Sequence, residues 1–355
     1  MKKLILFFIL TISISLFAQP KREFRGVWVA SVVNLDWPSS NTLSTQTQQN
    51  DLITLFDQMK ANGMNAILFQ VRSECDALYN SPYEPWSYWL TGQQGKAPSP
   101  YYDPLEFAVA EAHKRGIELH VWLNPYRAER QSGNYTTAVN HVTNTHPDWI
   151  FQTGIAKILD PGKQAVRNHV TKIVMDIVRR YDVDGIHMDD YFYPYPPDNM
   201  TANSTYNKKD SATFANESRG IIDLYDWRRD NVNMLMKQLN DSIQSVKPYV
   251  KFGMSPFGIW KNGVPSGISG LDAYSAIYCD ATTWLQQKTI DYLTPQLYWQ
   301  IGGSQDYSKL MPWWADSVKA NGRHFYPGHA PYRINNHDRR PSGGGEERPR
   351  RTPSR

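Results

Sequence analysis

Apolar and polar residues alternate along this chain in two rhythms. Short runs with almost continuous or alternating apolar positions mark strands. Longer stretches with apolar residues three and four apart mark amphipathic helices. The runs Phe24–Ser31 (FRGVWVAS), Ala66–Val71 (AILFQV), Ile117–Leu123 (IELHVWL), Gly185–Met188 (GIHM), Val250–Met254, Tyr292–Trp299 (YLTPQLYW) and His324–Ala330 (HFYPGHA) predict seven strands. Helices are predicted between them. One covers Gln49–Asn62, with Leu52, Ile53, Leu55, Phe56 and Met59 inward. Others run from Asp103-Pro104 to Lys114 and from Asp160-Pro161-Gly162 to about Tyr181, then over Asp226–Val246, Tyr278–Gln287 and Asp306–Ala320. Asn62-Gly63 and Gly116 are the stop signals of the first two.

Regular strand–helix alternation implies parallel strands with helices outside. Polar and aromatic residues gather where successive strands run out: Asp36 and Trp37, Arg72 and Glu74, Asn124 and Arg127, Asp189 and Asp190, Ser255, Gln296 and Tyr298, His329. Chemistry collected at the C-terminal ends of many strands is the pattern of a TIM (β/α)8-type barrel. A doubly wound sheet would carry a Gly-rich phosphate turn after its first strand, and FRGVWVASVVNLDW has none. The eighth strand and helix are not found. Residues 334–355 are polar, rich in Gly, Pro and Arg, and without periodicity, as in a disordered basic tail. The expectation is a barrel over 19–333 that lacks its last unit, from a chain that is truncated or whose tail is foreign to the fold.

Composition changes this picture in three places. With 355 residues, 12 Trp and 21 Tyr, the chain holds more large aromatics than one core needs, and such rings suit the faces of sugars. Met1 to Ala18, with Lys2 and Lys3 before an apolar run, reads as a secretory signal, so an exported periplasmic or extracellular protein without a membrane span is expected. The net charge of +4 is misleading: Arg339–Arg355 contributes +4 and Lys2 and Lys3 contribute +2, leaving −2 for the rest. That balance gives no footprint for nucleic acid. Cys75 and Cys279 could pair in an oxidising compartment, although separate buried thiols are the commoner state of two isolated cysteines.

The motifs FRGVWVASVVNLDWPS (Phe24–Ser39), FQVR (Phe69–Arg72), EPWSYWLTG (Glu84–Gly92), YYDPLEFAVAEAHKRGIELHVWLNPYR (Tyr101–Arg127), LDPG (Leu159–Gly162), DGIHMDDYFYP from Asp184, DWRRDNVN (Asp226–Asn233), FGMSPFGIW (Phe252–Trp260) and TPQLYW (Thr294–Trp299) resemble the glycoside-hydrolase-like family 10 barrel. The resemblance covers about Arg22 to Arg333. It implies an exported TIM barrel that hydrolyses glycans, in part of the family peptidoglycan strands stripped of their peptides. It implies a glycan as partner and no cofactor. A monomer is expected.

Glycoside hydrolysis needs two carboxyl groups, one protonated and one ionised. Asp189 is the first candidate for the ionised group. It follows His187 by two positions on one strand face, a placing similar to the nucleophile of amylase-type barrels. His187 and Arg72 are expected to keep its pKa low. The second carboxyl is Asp190 or Glu74, with Asp36 a distant third and otherwise a substrate contact. Arg72, Asn124, Tyr126 and Arg127 are candidates for sugar hydroxyls or a muramyl carboxylate. Trp28, Trp122, Tyr191, Tyr298 and Trp299 are candidate stacking platforms, and Ser255 and Gln296 candidate hydrogen-bonding groups. No metal site is expected. Two rival readings remain open: a non-catalytic glycan-binding barrel, and a metal-dependent polysaccharide deacetylase using the Asp pair with His324 and His329. The odd spacing of those two histidines puts them on opposite strand faces.

Overall fold

A computed structural model describes residues 23–195 and 209–333. The expected secretory signal over 1–18 and the expected tail over 334–355 lie outside the described residues. Seven parallel strands form one curled sheet: β1 (Gly26–Val29), β2 (Ala66–Arg72), β3 (Glu118–Leu123), β4 (Gly185–Met188), β5 (Lys251–Met254), β6 (Tyr292–Leu293) and β7 (His324–Phe325), each hydrogen-bonded to the next in chain order. Six helices cover its outer side: α1 (Thr45–Ala61), α2 (Pro104–Lys114), α3 (Gln164–Arg180), α4 (Leu224–Val246), α5 (Ala281–Gln286) and α6 (Tyr307–Ala320). The architecture is that of a TIM-type barrel open between β1 and β7 among the described residues. No described helix is long and apolar enough to cross a membrane.

Alternation along each strand builds two layers. Ile67, Phe69, Val71, Leu119, Val121, Leu123, Ile186, Met188, Phe252 and Met254 join the core between sheet and helices. The intervening side chains fill the barrel interior, where large and small residues must interlock. A Cβ at Gly185 would overlap the His120 ring, and one at Gly253 would overlap the Tyr292 ring. These two glycines make the space that the histidine and tyrosine fill.

The caps explain where the helices begin. Ser44 Oγ accepts from Thr47 N at 3.2 Å, so α1 starts at Thr45, before the expected Gln49. Asp103 Oδ1 accepts from Leu105 N and Glu106 N, with Pro104 in the first turn of α2. The expected strands over Tyr292–Trp299 and His324–Ala330 are shorter than their apolar patterns. Pro295 and Pro327 interrupt the ladders because proline has no N–H to donate. Beyond the interruptions, Gln296 still bridges to Phe257 and to Gly328. The expected long loop after β3 contains a three-stranded antiparallel sheet, Arg127–Glu129 with Ala156–Leu159 and Ile150–Thr153. Its strands of three and four residues are too short to show a period. Cys75 and Cys279 are both free and buried.

Candidate active site

β4 is buried along its whole length between β3 and β5 and carries Asp189 and Asp190 just past its end. Both carboxyls are nearly enclosed, with 4% and 3% of the residue exposed. Asp189 Oδ2 accepts from Trp122 Nε1 at 3.0 Å and faces Asn124 Nδ2 at 3.5 Å, and Oδ1 lies 3.5 Å from Tyr191 N. Asp190 Oδ2 accepts from Tyr195 Oη at 2.7 Å. Neighbouring acids so placed cannot both ionise cheaply. Burial, then the charge of Asp190, pushes the Asp189 carboxyl up to about 7, against the pull of Arg127 and Trp122. Burial pushes Asp190 up to about 6, against the hydrogen bond from Tyr195. The two titrate as a pair.

The expectation that His187 and Arg72 hold the Asp189 pKa down is therefore corrected, and the reason is location. His187 is fully buried beneath the pair. Burial, then the charge of His120, holds it well below the ordinary imidazole range, so it is neutral and supplies no cation. Arg72 lies beyond a register shift in β2 and is 1% exposed. Its Nε and Nη2 donate to the two Glu84 oxygens at 2.7 Å each, and Nη1 donates to Asn124 O and Pro125 O. Those partners occupy its donors, so Arg72 braces the wall and offers nothing to a ligand. Tyr126 was also a candidate sugar contact. It is 0% exposed and joins the core, so it faces away from the opening. The cation that acts on both acids is Arg127. Its Nε donates to Ser73 O at 3.0 Å, and its guanidinium lies 4.8 Å from the Tyr191 ring centre.

Other candidates divide by position. Trp28, Trp122, Tyr191, Gln296, Tyr298 and Trp299 are half-buried around the mouth of the barrel. Trp28 meets the His187 ring edge-on at 6.0 Å, and Gln296 Nε2 donates to Ser255 O at 2.9 Å. Gln296 also hydrogen-bonds Asp190. Ser255 is 3% exposed and pairs with His187 Nε2 at 3.0 Å. Asn124 Oδ1 accepts from Tyr126 N and Arg127 N, which shapes the turn after β3. Asp36 is exposed and closes its own loop by accepting from Ala30 N at 2.9 Å.

Glu74 belongs to a second acid cluster. It accepts from Trp89 Nε1 at 2.6 Å, Tyr135 Oη at 3.3 Å and the Arg130 backbone N–H. Tyr135 stacks on Tyr88 with ring centres 4.2 Å apart. The adjacent Asp76 is pushed up to about 7 by burial and then by Glu74. This cluster ties the aromatic loop after β2 to the loop after β3.

His329 Nε2 lies 2.9 Å from Tyr307 Oη, and His324 stacks beside Tyr326 at the outer end of β7. Among the described residues, no group of three or more His, Cys, Asp or Glu is arranged to hold a metal ion. Sequence reasoning passed over Tyr195, Glu84, His120 and Tyr292. Tyr195 lies in the same aromatic run as the acids, and strand parity places His120 and Tyr292 inward. Nothing local marks Glu84 as the partner of Arg72.

The model of the glycosyl hydrolase-like 10 family matches residues 23–341. The chain is 42% identical over 338 residues to a protein of Bacillus subtilis named glycosyl hydrolase YngK, covering 93% of this chain and 64% of the relative. It is 38% identical to glycosyl hydrolase DigH of Escherichia coli K12, covering 89% of this chain and 75% of that one. The chain thus spans just under two thirds of the length of its Bacillus relative. A solved Paenibacillus cycloisomaltooligosaccharide glucanotransferase aligns with TM-score 0.51 at 11% identity, over 88% of this chain and 39% of that one, a likeness of fold. Sequence, sheet and strand-end acids agree, and the chain belongs to the glycosyl hydrolase-like 10 family.

Proposed function

We propose that this protein is an exported glycoside hydrolase that cleaves a bacterial glycan, peptidoglycan strands free of peptide in particular, with Asp189 and Asp190 as its two carboxyl groups. The observation that carries this reading is the buried pair itself. Two adjacent acids with carboxyl values of about 7 and about 6 hold roughly one proton between them near neutrality. That is the state needed for one group to donate to the leaving oxygen while the other acts on carbon or water. The half-buried rings of Trp28, Trp122, Tyr191 and Trp299 around the opening give a sugar faces to stack on. Arg127, whose charge acts on both acids, suits an acidic substituent on the glycan. The leader-like Met1–Ala18 supports export, and the names of the relatives support glycan hydrolysis.

The test is incubation of the full chain with defined peptidoglycan glycans, peptide-free and peptide-bearing, followed by mass analysis of products. Cleavage of peptide-free strands is expected, with a loss of about 10³-fold or more in Asp189→Asn. If the parent binds the glycan without cleaving it and Asp189→Asn binds equally well, the barrel is a glycan-binding module and the hydrolase reading is wrong.

A further inference from the structure

A polar column runs through the barrel interior beneath the acid pair. Glu118 opens β3 at the opposite end of the barrel, and its side chain is 59% exposed. Its Oε2 lies 3.4 Å from His120 Nε2. His120 Nδ1 lies 2.8 Å from Tyr292 Oη, which lies 3.0 Å from His187 Nδ1. His187 Nε2 lies 3.0 Å from Ser255 Oγ. Ser255 N donates to Met188 O at 3.0 Å, which sets Ser255 alongside Asp189. Strands β3, β4 and β6 and the residue just past the end of β5 contribute to one continuous chain from the solvent at the barrel floor to the wall of the cleft.

A phenol, a hydroxyl and a neutral imidazole each have one proton to give, so the direction of one link decides the others. A carboxylate only accepts. The hydrogen bond from His120 lowers the Glu118 carboxyl below its ordinary value and favours its ionised form. A neutral His120 then donates from Nε2 and must accept at Nδ1 from Tyr292. The Tyr292 oxygen accepts from His187 Nδ1. His187, neutral for the reasons given above, is left with a bare Nε2 that accepts from Ser255. In the reverse order His120 would turn a lone pair on the carboxylate, and Ser255 would donate instead toward Met188 O, 3.5 Å away.

We propose that Glu118 is a positioning residue that sets the polarity of this column, so that Ser255 gives its proton inward and meets the cleft as a hydrogen-bond acceptor. In that state Ser255 Oγ, its proton turned inward to His187, accepts a sugar hydroxyl beside Asp189. The role of Ser255 toward a sugar rests on the hydrolase reading. The proton order does not.

The experiment uses the full chain with ¹⁵N-labelled histidine imidazoles, assigned by single-histidine variants, at about pH 8, where ordinary imidazoles are neutral. Long-range proton–nitrogen spectra distinguish the two tautomers. The expected result is a proton on Nδ1 of His187 and on Nε2 of His120. Glu118→Ala is expected to give mixed tautomers at both sites and to lower kcat about fivefold, the equivalent of one hydrogen bond, with its unfolding midpoint nearly unchanged because the side chain is largely in solvent. A proton on Nε2 of His187 in the parent overturns the proposal, as do tautomers that Glu118→Ala leaves unmoved. If the parent cleaves no glycan, the hydrolase reading falls while the tautomers still decide the column.

Discussion

The ends of β2 and β4 both bury carboxyl groups, and they resolve that burial in opposite ways. At the end of β2, Glu84 meets Arg72 through two hydrogen bonds and His169 Nε2 at 3.2 Å. Burial would raise its carboxyl, but the Arg72 guanidinium prevails and holds it at about 2. Charge is permanent there, and both carboxylate oxygens have a partner. At the end of β4, two like acids are buried side by side, and Arg127 does not offset the loss of water. A proton is retained instead. The first arrangement fixes loops, and the second costs stability at neutral pH. Equal burial therefore says little about role until the sign of the neighbour is known.

The largest way to break the contrast is to remove one partner of the β2 pair. Glu84→Ala leaves the Arg72 charge buried without its counter-ion and should destabilise the protein by about 3–5 kcal/mol, read from chemical denaturation. An unchanged midpoint would show that the ion pair is not a structural brace.

A smaller effect of opposite sign is expected at β4. An acid whose folded carboxyl is raised binds its proton longer in the folded than in the unfolded state. Its contribution to stability is therefore present below the ordinary carboxylate value and is lost as pH rises through about 6 for Asp190 and about 7 for Asp189. Asp190→Asn, which removes one of the two like charges, should raise stability by about 1–2 kcal/mol at about pH 8 and by much less at about pH 5. Thermal melts at the two pH values check the sign. Greater stabilisation at the acid end would invert the account.

On the proposed mechanism the same values govern rate. One group must be protonated and the other ionised, so hydrolysis should follow a bell with its maximum between about 6 and about 7. A plateau extending well above that range would remove the pair from the rate equation. The smallest effect is expected of Tyr195→Phe. Its hydroxyl bonds the Asp190 carboxyl and lowers its value. Losing it should carry that titration to higher pH by about half a unit, visible as a shift in one limb of the bell.

Much of this fold could be read directly, because parallel buried strands such as Ala66–Arg72 and Gly185–Met188 leave mostly apolar runs bounded by caps and glycines. Where proline cut the ladders at Pro295 and Pro327, pattern alone overextended the strands. The acid pair was legible because both members lie in one short stretch. Arg72 was misplaced because its direction follows from a register shift at Gln70/Arg72, and its partner Glu84 is 12 residues away in a loop without period. Tyr126 failed for a similar reason: in a turn, side-chain direction is set by hydrogen bonds such as those on Asn124 Oδ1. The His120–Tyr292–His187 column spans strands far apart in sequence, and only the closed packing of the interior brings it together.

The two aspartates at the end of β4 are expected to share one proton near neutral pH. Carbon-13 spectra of the full chain labelled at its aspartate carboxyls, titrated with Asp189→Asn and Asp190→Asn for assignment, read this directly. Two coupled carboxyls changing between about 6 and about 7 are predicted. Carboxyls at both positions that finish titrating near the ordinary value of about 4 would contradict it.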